Sequence, residues 1–374
     1  YSPSTAPVSI QDQNVHVVSF DLLKSITTHS SALIDGKINP AAFDLLMVTN
    51  SSSDPGKDLT EAAKRYADYR GSVNGGSHRT LLISIRNIYD QFNYGEPSPI
   101  AIKRFVNYML KDGTRPQHYL FLIGYGVTNP LEIKRELPDE VPSMGDPGSD
   151  VLLVCGLSNS IYSEDDIPAI PVGRLVAYKP GDVDAYREKV TAYENDSRNS
   201  DVTTLQWRKK ILEISGTKDK PEIAQFKNFF NQAHNYVVHH PAYPWTYIFF
   251  DNEPEYGSSN SVGRKDAVKY IKNSVADGVG TIAYFGHGNH TAPQFNFETP
   301  DKGYTFNPAK YPFMYITGCG IGNIFLYHND GGHMEKWLVA ANKGAIAIVA
   351  NSYDAYVSTA SEYLRIFYSR LFTR

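Results

Sequence analysis

Two short glycine-flanked segments hold the residues best suited to chemistry. His287 lies in Gly-His-Gly at 286–288, and Cys319 lies in Gly-Cys-Gly at 318–320. An imidazole beside a thiol can attack an acyl group, because the base activates the nucleophile and later protonates the leaving amine. Glycines also free backbone N–H groups to point at one spot, so Gly288 and Gly320 are predicted to help stabilise an oxyanion.

Each of these segments follows an apolar run that predicts a β-strand. Gly280–Phe285 runs into the histidine segment, and Phe313–Thr317 runs into the cysteine segment. In an open parallel sheet, the residues just past the carboxyl ends of neighbouring strands converge on one crevice. The two side chains are therefore predicted to meet at one edge of a sheet.

Other interpretations of these residues stay open. A lone cysteine after a strand is more often a structural thiol, a glycine-flanked histidine is often only a turn, and His290 competes with His287 as the base. His328 and His333 lie near in sequence, but no second cysteine or HExxH pattern accompanies them, so no metal site is predicted. The chain also lacks the GxSxG elbow that a serine hydrolase needs.

The alternation of short apolar runs with longer amphipathic stretches predicts an α/β fold with parallel sheets. The predicted strands are Phe43–Val48, Thr80–Ile85, Tyr119–Ile123, Val151–Cys155, Lys210–Ile214, Tyr236–His239, Trp245–Phe250, Gly280–Phe285, Phe313–Thr317 and Ala345–Ala350. The predicted helices are Leu59–Tyr69, Pro97–Lys111, Asp182–Tyr193, Pro221–His234, Gly263–Ala276, Gly332–Ala341 and Ser358–Leu371.

The polar stretch Asn195–Thr204 is the best candidate for a linker. It would separate an N-terminal α/β subdomain, residues 1–198, from a C-terminal one, residues 205–374. Since both reactive segments fall in the second part, that part is predicted to be catalytic. A second irregular stretch, Thr128–Gly148, is predicted to be a long surface loop.

Composition excludes several classes of protein. The 374 residues carry 36 basic and 40 acidic side chains, and this balance gives no electrostatic footprint for nucleic acid. Two cysteines exclude a disulfide scaffold, and Cys155, inside an apolar run, is predicted to be a buried small hydrophobe. No apolar stretch is long enough to span a bilayer. The chain begins at Tyr1 rather than Met, which indicates a mature or excised fragment.

Six sequence blocks in one order resemble the gingipain-like cysteine peptidases of the caspase-like clan. Two of them surround the histidine and the cysteine, and the others are spread over most of the chain. The six blocks are Ile88–Gly95, Tyr119–Gly124, Ile170–Arg174, Lys189–Glu194, Tyr284–Gly288 and Cys319–Phe325. Near the end, Glu335-Lys-Trp and Lys343-Gly-Ala-Ile-Ala look most like the sortase branch of the type IX secretion system, the PorU type.

The resemblance implies a three-layer α/β/α caspase-like architecture in two subdomains. It also implies that Cys319 is the nucleophile and His287 the general acid and base. Asp150 is the best match to the carboxylate that orients the histidine in the family. Related peptidases bind calcium, for which oxygen ligands are offered by acidic residues at four positions: Asp146, Asp150, Glu164 and Asp165. No cofactor is expected to be required.

The function implied is that of a cysteine peptidase or transpeptidase. In the sortase branch, the enzyme removes a C-terminal signal domain from exported cargo and passes the acyl group to an amine of lipopolysaccharide or to water. Expected partners are cargo proteins, lipopolysaccharide and other secretion components, at the cell surface or in the medium of a Gram-negative bacterium. The alternatives are a secreted endopeptidase without transfer and a catalytically silent docking module of the same fold.

Overall fold

The structure of the chain is a computed structural model that describes residues 38–111, 118–161, 165–199, 201–237, 244–251, 262–295, 297–325 and 332–372. Residues Pro40–Arg374 form one compact unit. The boundary predicted within it, between residues 198 and 205, stays a prediction. None of the helices in the described ranges combines the length and the apolar character needed to cross a membrane.

The strands of the described residues form two parallel sheets. The first has the order β2-β1-β3-β4, and the second has the order β6-β5-β7-β8-β9. The strands are β1 (Leu45–Thr49), β2 (Thr80–Ser84), β3 (Tyr119–Ile123), β4 (Val172–Leu175), β5 (Lys210–Gly216), β6 (Thr246–Phe250), β7 (Thr281–Gly286), β8 (Phe313–Thr317) and β9 (Ala347–Ala350). The helices are α1 (Thr60–Gly71), α2 (Ile85–Phe92), α3 (Pro99–Met109), α4 (Pro130–Arg135), α5 (Pro180–Asn199), α6 (Lys220–His234), α7 (Val262–Asp277), α8 (His333–Val339) and α9 (Val357–Leu371).

The second sheet is covered by helices on both faces. Because successive strand residues point to opposite faces, Ile282 and Tyr284 of β7 face one layer while Ala283 and Phe285 face the other. The first layer is built by residues of α7 and α8, namely Ile271, Val275, Met334 and Trp337. The second is built by residues of α6 and α9, namely Phe226, Phe230, Leu364 and Tyr368. The predicted three-layer α/β/α class is confirmed.

One predicted strand is wrong. Val151–Cys155 was expected to be a buried strand, but Asp150–Leu153 form a turn of 3₁₀ helix in which Val151 and Leu152 are exposed. The strand that pairs with β3 is β4, which the sequence analysis missed because its interior is Gly173-Arg174. Cys155 is nevertheless buried, and this burial raises the pKa of its thiol.

Some boundaries also differ from the prediction. The linker stretch Asn195–Thr204 begins inside α5, which continues to Asn199. The stretch Thr128–Gly148, expected to be a loop, contains α4. In the expected strand Tyr236–His239, residues 236 and 237 form a turn and a bend, and residues 238 and 239 lie outside the described residues. The helix expected from Pro97 begins at Pro99, whose preceding residue Ser98 caps it.

A lysine of the Lys189–Glu194 block has a structural role. Lys189 of α5 is almost fully buried, and its ammonium donates to the carbonyl oxygens of Leu338 (2.5 Å), Lys343 (3.0 Å) and Ala345 (3.1 Å). These carbonyls belong to the end of α8 and the turn that leads into β9. The side chain thus ties α5 to the segment that carries the last strand of the second sheet.

Glu140 lies against the carboxyl end of the first sheet. A Cβ built on Gly124, the residue that follows β3, would lie 3.5 Å from its Oε2. Burial raises the pKa of Glu140 to about 7, although the backbone N–H of Tyr125 and the charge of Arg174 favour the ionised form.

Because the folded protein holds this proton more tightly than the unfolded chain, the free energy of unfolding is expected to fall as pH rises from about 4.5 to about 7. Glu140→Gln, which cannot ionise, should be more stable than the wild type at pH 8 by at most about 3 kcal/mol. The two proteins should match at pH 4.5. Urea unfolding at both pH values measures this, and an equal difference at both would contradict it.

Candidate active site

His287 is held in place through its backbone at the end of β7. Its N–H donates to the carbonyl of Gly216 at 2.9 Å, and its own carbonyl accepts from the N–H of Gln294 at 2.9 Å and from the hydroxyl of Tyr284 at 2.5 Å. This packing demands glycine at the end of β5, because a Cβ on Gly216 would lie 1.9 Å from the Tyr284 oxygen. The fixed backbone leaves the imidazole itself half exposed.

A carboxylate contacts this imidazole, and it comes from α6. The Nε2 atom of His287 lies 3.1 Å from Oε2 of Glu222. Glu222 is in the first turn of α6, where its own N–H is capped by Asp219 at 3.0 Å and where the helix dipole favours negative charge. A 2.5 Å hydrogen bond from the hydroxyl of Thr217, and then the contact with His287, lower the pKa of Glu222.

Aromatic packing aligns α6 with the histidine segment. Phe226, one turn after Glu222, contacts Phe285 with ring centroids 4.9 Å apart, and its ring also meets that of His287 at 6.4 Å. Phe229 packs on Phe285 as well, at 5.3 Å. These buried contacts fix the start of α6 beside the end of β7, so that the carboxylate reaches the imidazole.

The predicted orienting carboxylate, Asp150, is engaged elsewhere. Both of its oxygens bind the guanidinium of Arg174, at 2.7 and 2.8 Å, in a buried bidentate pair. This prediction is therefore corrected, because the carboxylate that contacts His287 is Glu222. Asp150 was also a candidate calcium ligand, and calcium binding stays a prediction. Glu164 lies outside the described residues, and within them no cluster of three or more histidine, cysteine or acidic side chains is placed to hold a metal ion.

Cys319 follows β8 directly and is partly exposed. The N–H of Ala355, from the segment between β9 and α9, donates to its Sγ at 3.5 Å. Gly320 adopts a φ of +63°, a left-handed conformation that suits glycine, and its N–H donates to the carbonyl of Tyr353 at 3.0 Å. This bond corrects the predicted oxyanion role of Gly320, because its donor is already used. The same role for Gly288 stays a prediction.

The two reactive segments lie side by side. Phe285 of β7 pairs with Thr317 of β8, and the two segments begin at the next residue of each strand. A Cβ on Gly318 would lie 3.1 Å from the carbonyl oxygen of Gly286, and a Cβ on Gly320 would lie 3.5 Å from the backbone nitrogen of His290. The predicted convergence of the two segments is thus supported, and the carboxylate contact falls on His287.

The side chain of Ile321 packs against both the histidine segment and the cysteine segment. A Cβ on Gly318 would lie 2.3 Å from its Cδ1 atom, and a Cβ on Gly288 would lie 2.4 Å from the same atom. Larger residues at either glycine would separate the histidine segment from the cysteine segment. The glycines that flank the reactive pair therefore serve close packing as much as backbone freedom.

An open cavity of about 280 Å³ begins beside the cysteine. It lies between the ends of β8 and β9 and the first turns of α9, and its wall includes Ala355, whose N–H reaches Cys319. Its lining combines tyrosine rings and small apolar side chains with one carboxylate. The main lining residues are Tyr315, Val349, Asp354, Ala355, Tyr356 and Tyr363.

Sequence reasoning missed Glu222 and the donor at Ala355. A signal for Glu222 was present, since Asp219-Lys-Pro-Glu222 combines an N-cap residue, a first-turn proline and a first-turn acid directly after a predicted strand. Ala355 carried no such signal, because a backbone N–H is not visible in residue type.

Comparison with known proteins identifies a family for the chain. The sequence profile of peptidase family C25 matches residues 38–374. No curated protein sequence matches the chain significantly.

Solved structures of gingipains are similar to the chain in fold. The Arg-specific cysteine proteinase gingipain R shares 17% identity, with a TM-score of 0.59, over 84% of this chain and 64% of its own. The complex of Porphyromonas gingivalis RgpB pro- and mature domains shares 16% identity, with a TM-score of 0.58, over 88% of this chain and 69% of that one. Dimeric latent PorU from Porphyromonas gingivalis shares 19% identity over 42% of this chain and 16% of its own, with a TM-score of only 0.34.

This chain therefore spans less than two thirds of the gingipain R chain. Identities this low establish a shared fold and no finer property. The profile match covers most of the chain and agrees with the resemblance found in the sequence blocks. The chain belongs to peptidase family C25.

Proposed function

We propose that this chain is a cysteine peptidase in which Cys319 attacks a peptide carbonyl. The observation that carries the proposal is that the histidine and cysteine segments follow the paired ends of β7 and β8, with Glu222 on the imidazole of His287. A thiol, a base and a group that orients the base are the three parts of nucleophilic acyl transfer.

In the proposed reaction, the imidazole of His287 takes the thiol proton, and the thiolate of Cys319 forms a bond to the carbonyl carbon. The tetrahedral intermediate collapses as the imidazolium gives its proton to the leaving amine, and the C–N bond breaks. Water or an amine then attacks the acyl-enzyme, and the thiolate leaves. Glu222 stabilises the imidazolium throughout, and its lowered pKa keeps it ionised in mildly acidic solution.

The cavity beside Cys319 is proposed to receive a substrate side chain. Its position next to the nucleophile and its tyrosine-rich wall suit a residue with a large apolar or aromatic surface. The one carboxylate in its lining is that of Asp354.

Within this activity, we propose the sortase-like role of the type IX secretion system. Exported cargo would lose its C-terminal signal domain outside the outer membrane, and the acyl group would pass to an amine of lipopolysaccharide or to water. The support is the resemblance of Glu335-Lys-Trp and Lys343-Gly-Ala-Ile-Ala to the sortase branch. Both blocks also make structural hydrogen bonds. Glu335 accepts from the N–H of Gly332 at 2.7 Å, and the carbonyl of Lys343 holds Lys189.

Product analysis tests this role against its alternatives. Purified protein is incubated with a cargo protein that carries its C-terminal signal domain, with and without an amine acceptor. The masses of the products are measured by mass spectrometry. A sortase should give an amine adduct when the acceptor is present. Free cargo in both reactions would indicate an endopeptidase without transfer, and intact cargo with a slowly alkylated Cys319 would indicate a silent docking module.

Glu222→Gln tests the orienting carboxylate. Removal of the negative charge destabilises the imidazolium, so kcat/KM should fall roughly ten- to hundredfold, since a hydrogen bond to a charged group is worth about 1.5–3 kcal/mol. The basic limb of the pH–rate profile should move to lower pH. Glu61→Gln, which changes an exposed glutamate in the first turn of α1, is the matched comparison, and it should leave that limb in place. An unchanged limb in Glu222→Gln would refute the assignment.

A further inference from the structure

The end of the nucleophile loop, residues 318–325, enters a slot formed by the first half of the chain. The ring of Phe325, six residues after Cys319, lies between the backbones of Gly126 and Gly148. A Cβ on Gly126 would lie 2.9 Å from its Cδ1 atom, and a Cβ on Gly148 would lie 2.6 Å from its Cδ2 atom. Neither glycine has a positive φ, so the need for glycine here is one of space.

Further contacts hold the loop to the same slot. The hydroxyl of Tyr125 donates to the carbonyl of Phe325 at 3.2 Å. Ile324 packs against an apolar cluster at the carboxyl end of the first sheet, made of Tyr125, Val127, Ile133 and Val176. The hydroxyl of Ser352, from the segment after β9, donates to the carbonyl of Gly148 at 2.9 Å, which ties the slot to the other side of the site.

Arg174 cross-links the walls of this slot. Its side chain is 2% exposed, and its guanidinium binds both oxygens of Asp150. It also donates to the carbonyls of Gly124 at 3.2 Å and Val141 at 2.8 Å. The chain after β3, which carries Gly126, is thereby fixed to the segment before Asp150, which carries Gly148.

The opposite side of the nucleophile loop is held by the segment after β9. The N–H of Gly320 donates to the carbonyl of Tyr353, and the N–H of Gly322 donates to that of Asn351, at 3.0 and 2.8 Å. Cys319 thus lies in a loop that is anchored to the second sheet on one side and to the Phe325 slot at its end. A shift of the ring would move the loop that carries the sulfur.

We propose that Phe325 and Arg174 are positioning residues that fix the nucleophile loop through the glycine slot of the first subdomain. The proposal rests on the proposed function of Cys319 and deepens it. It gives the first sheet, which contributes no reactive side chain to the pair, a defined part in the reaction. Arg174 belongs to one of the sequence blocks whose role the pair alone does not explain.

Substitutions in the slot test the proposal. Phe325→Ala removes the ring that fills the slot, and Gly126→Ala adds a methyl group that displaces the Phe325 ring. Both are expected to lower kcat roughly tenfold or more with KM within about twofold, since a misplaced reacting group costs turnover. Alkylation of Cys319 by iodoacetamide at pH 6 should slow in parallel. The matched control is Gly173→Ala, next to Arg174, where a Cβ meets its nearest neighbour at an ordinary 3.8 Å.

A rescue variant separates positioning from a general loss of structure. Gly126→Ala combined with Phe325→Leu should recover at least half of the lost rate, because the added methyl group replaces part of the ring volume. Thermal unfolding checks that each variant is folded. If Phe325→Ala is not folded, Phe325→Leu replaces it in the test. A folded slot variant with the wild-type pH profile of Cys319 alkylation would overturn the proposal.

The alkylation profile needs no substrate, so it decides the proposal even if the wild type cleaves no peptide. In that case the proposed function fails while the profile still shows whether the slot controls the environment of Cys319. Cleavage by the wild type, combined with unchanged slot variants, would refute positioning and leave the proposed function intact.

Discussion

Cys319→Ala is expected to abolish peptide cleavage, with kcat/KM falling by on the order of 10⁴ or more. The second cysteine of the chain, Cys155, does not replace the thiol, because it lies buried with its Sγ 3.6 Å from the carbonyl of Asp166. The measurement is cleavage of a protein or peptide substrate by the wild type and the variant. Labelling by an electrophilic peptide probe should disappear in parallel.

Cys155→Ala is the matched control for this prediction. It removes the other thiol, whose pKa is raised by burial, and should keep cleavage and probe labelling within about twofold of the wild type. Probe labelling that persists in Cys319→Ala, or that is lost in Cys155→Ala, would assign the reactivity to the wrong cysteine.

His287→Ala should lower kcat roughly 10²–10⁴-fold, the range that a positioned general acid and base supplies. The thiol should also lose its fast alkylation below the free-thiol pKa of about 8.5, because the imidazolium that stabilises the thiolate is absent. Turnover and the pH dependence of iodoacetamide alkylation measure the two effects.

His290→Ala separates the two candidate bases. His290 lies in the same loop and is exposed, but the carboxylate of Glu222 contacts His287. His290→Ala should therefore retain most of the activity. The reverse outcome, with His290→Ala inactive and His287→Ala active, would exchange their roles.

The sequence was sufficient to predict that the histidine and cysteine segments follow neighbouring strands, because both segments stand directly after runs with strong apolar patterns. The predicted strand Phe313–Thr317 matches β8, and Gly280–Phe285 differs from β7 by one residue at each end. The parallel pairing of β7 with β8 then places the two segments at the same end of the sheet. Motif position relative to strand ends was the decisive signal.

The orienting carboxylate was out of reach of the same reasoning. Asp150 matched the family pattern, but whether an acid contacts a histidine depends on tertiary packing. Arg174 binds Asp150, and the packing of Phe226 on Phe285 brings Glu222 to the imidazole instead. These tertiary contacts cannot be predicted from residue type alone.

Local pattern also misassigned the stretch Val151–Cys155. A short apolar run is typical of a buried strand and equally of other buried elements. Asp150–Leu153 turn as a 3₁₀ helix directly after the residue that Arg174 binds, while the place in the sheet goes to Val172–Leu175. A glycine and an arginine inside that strand weakened its apolar signal.

Cys319 is expected to form an acyl bond with the substrate during turnover. A rapid acid quench of the wild type mixed with a peptide substrate, followed by digestion and mass spectrometry, measures it directly. The peptide containing Cys319 should gain the mass of the acyl fragment, and hydroxylamine should release it. Substrate cleaved with no mass gain at Cys319, at any quench time, would contradict it.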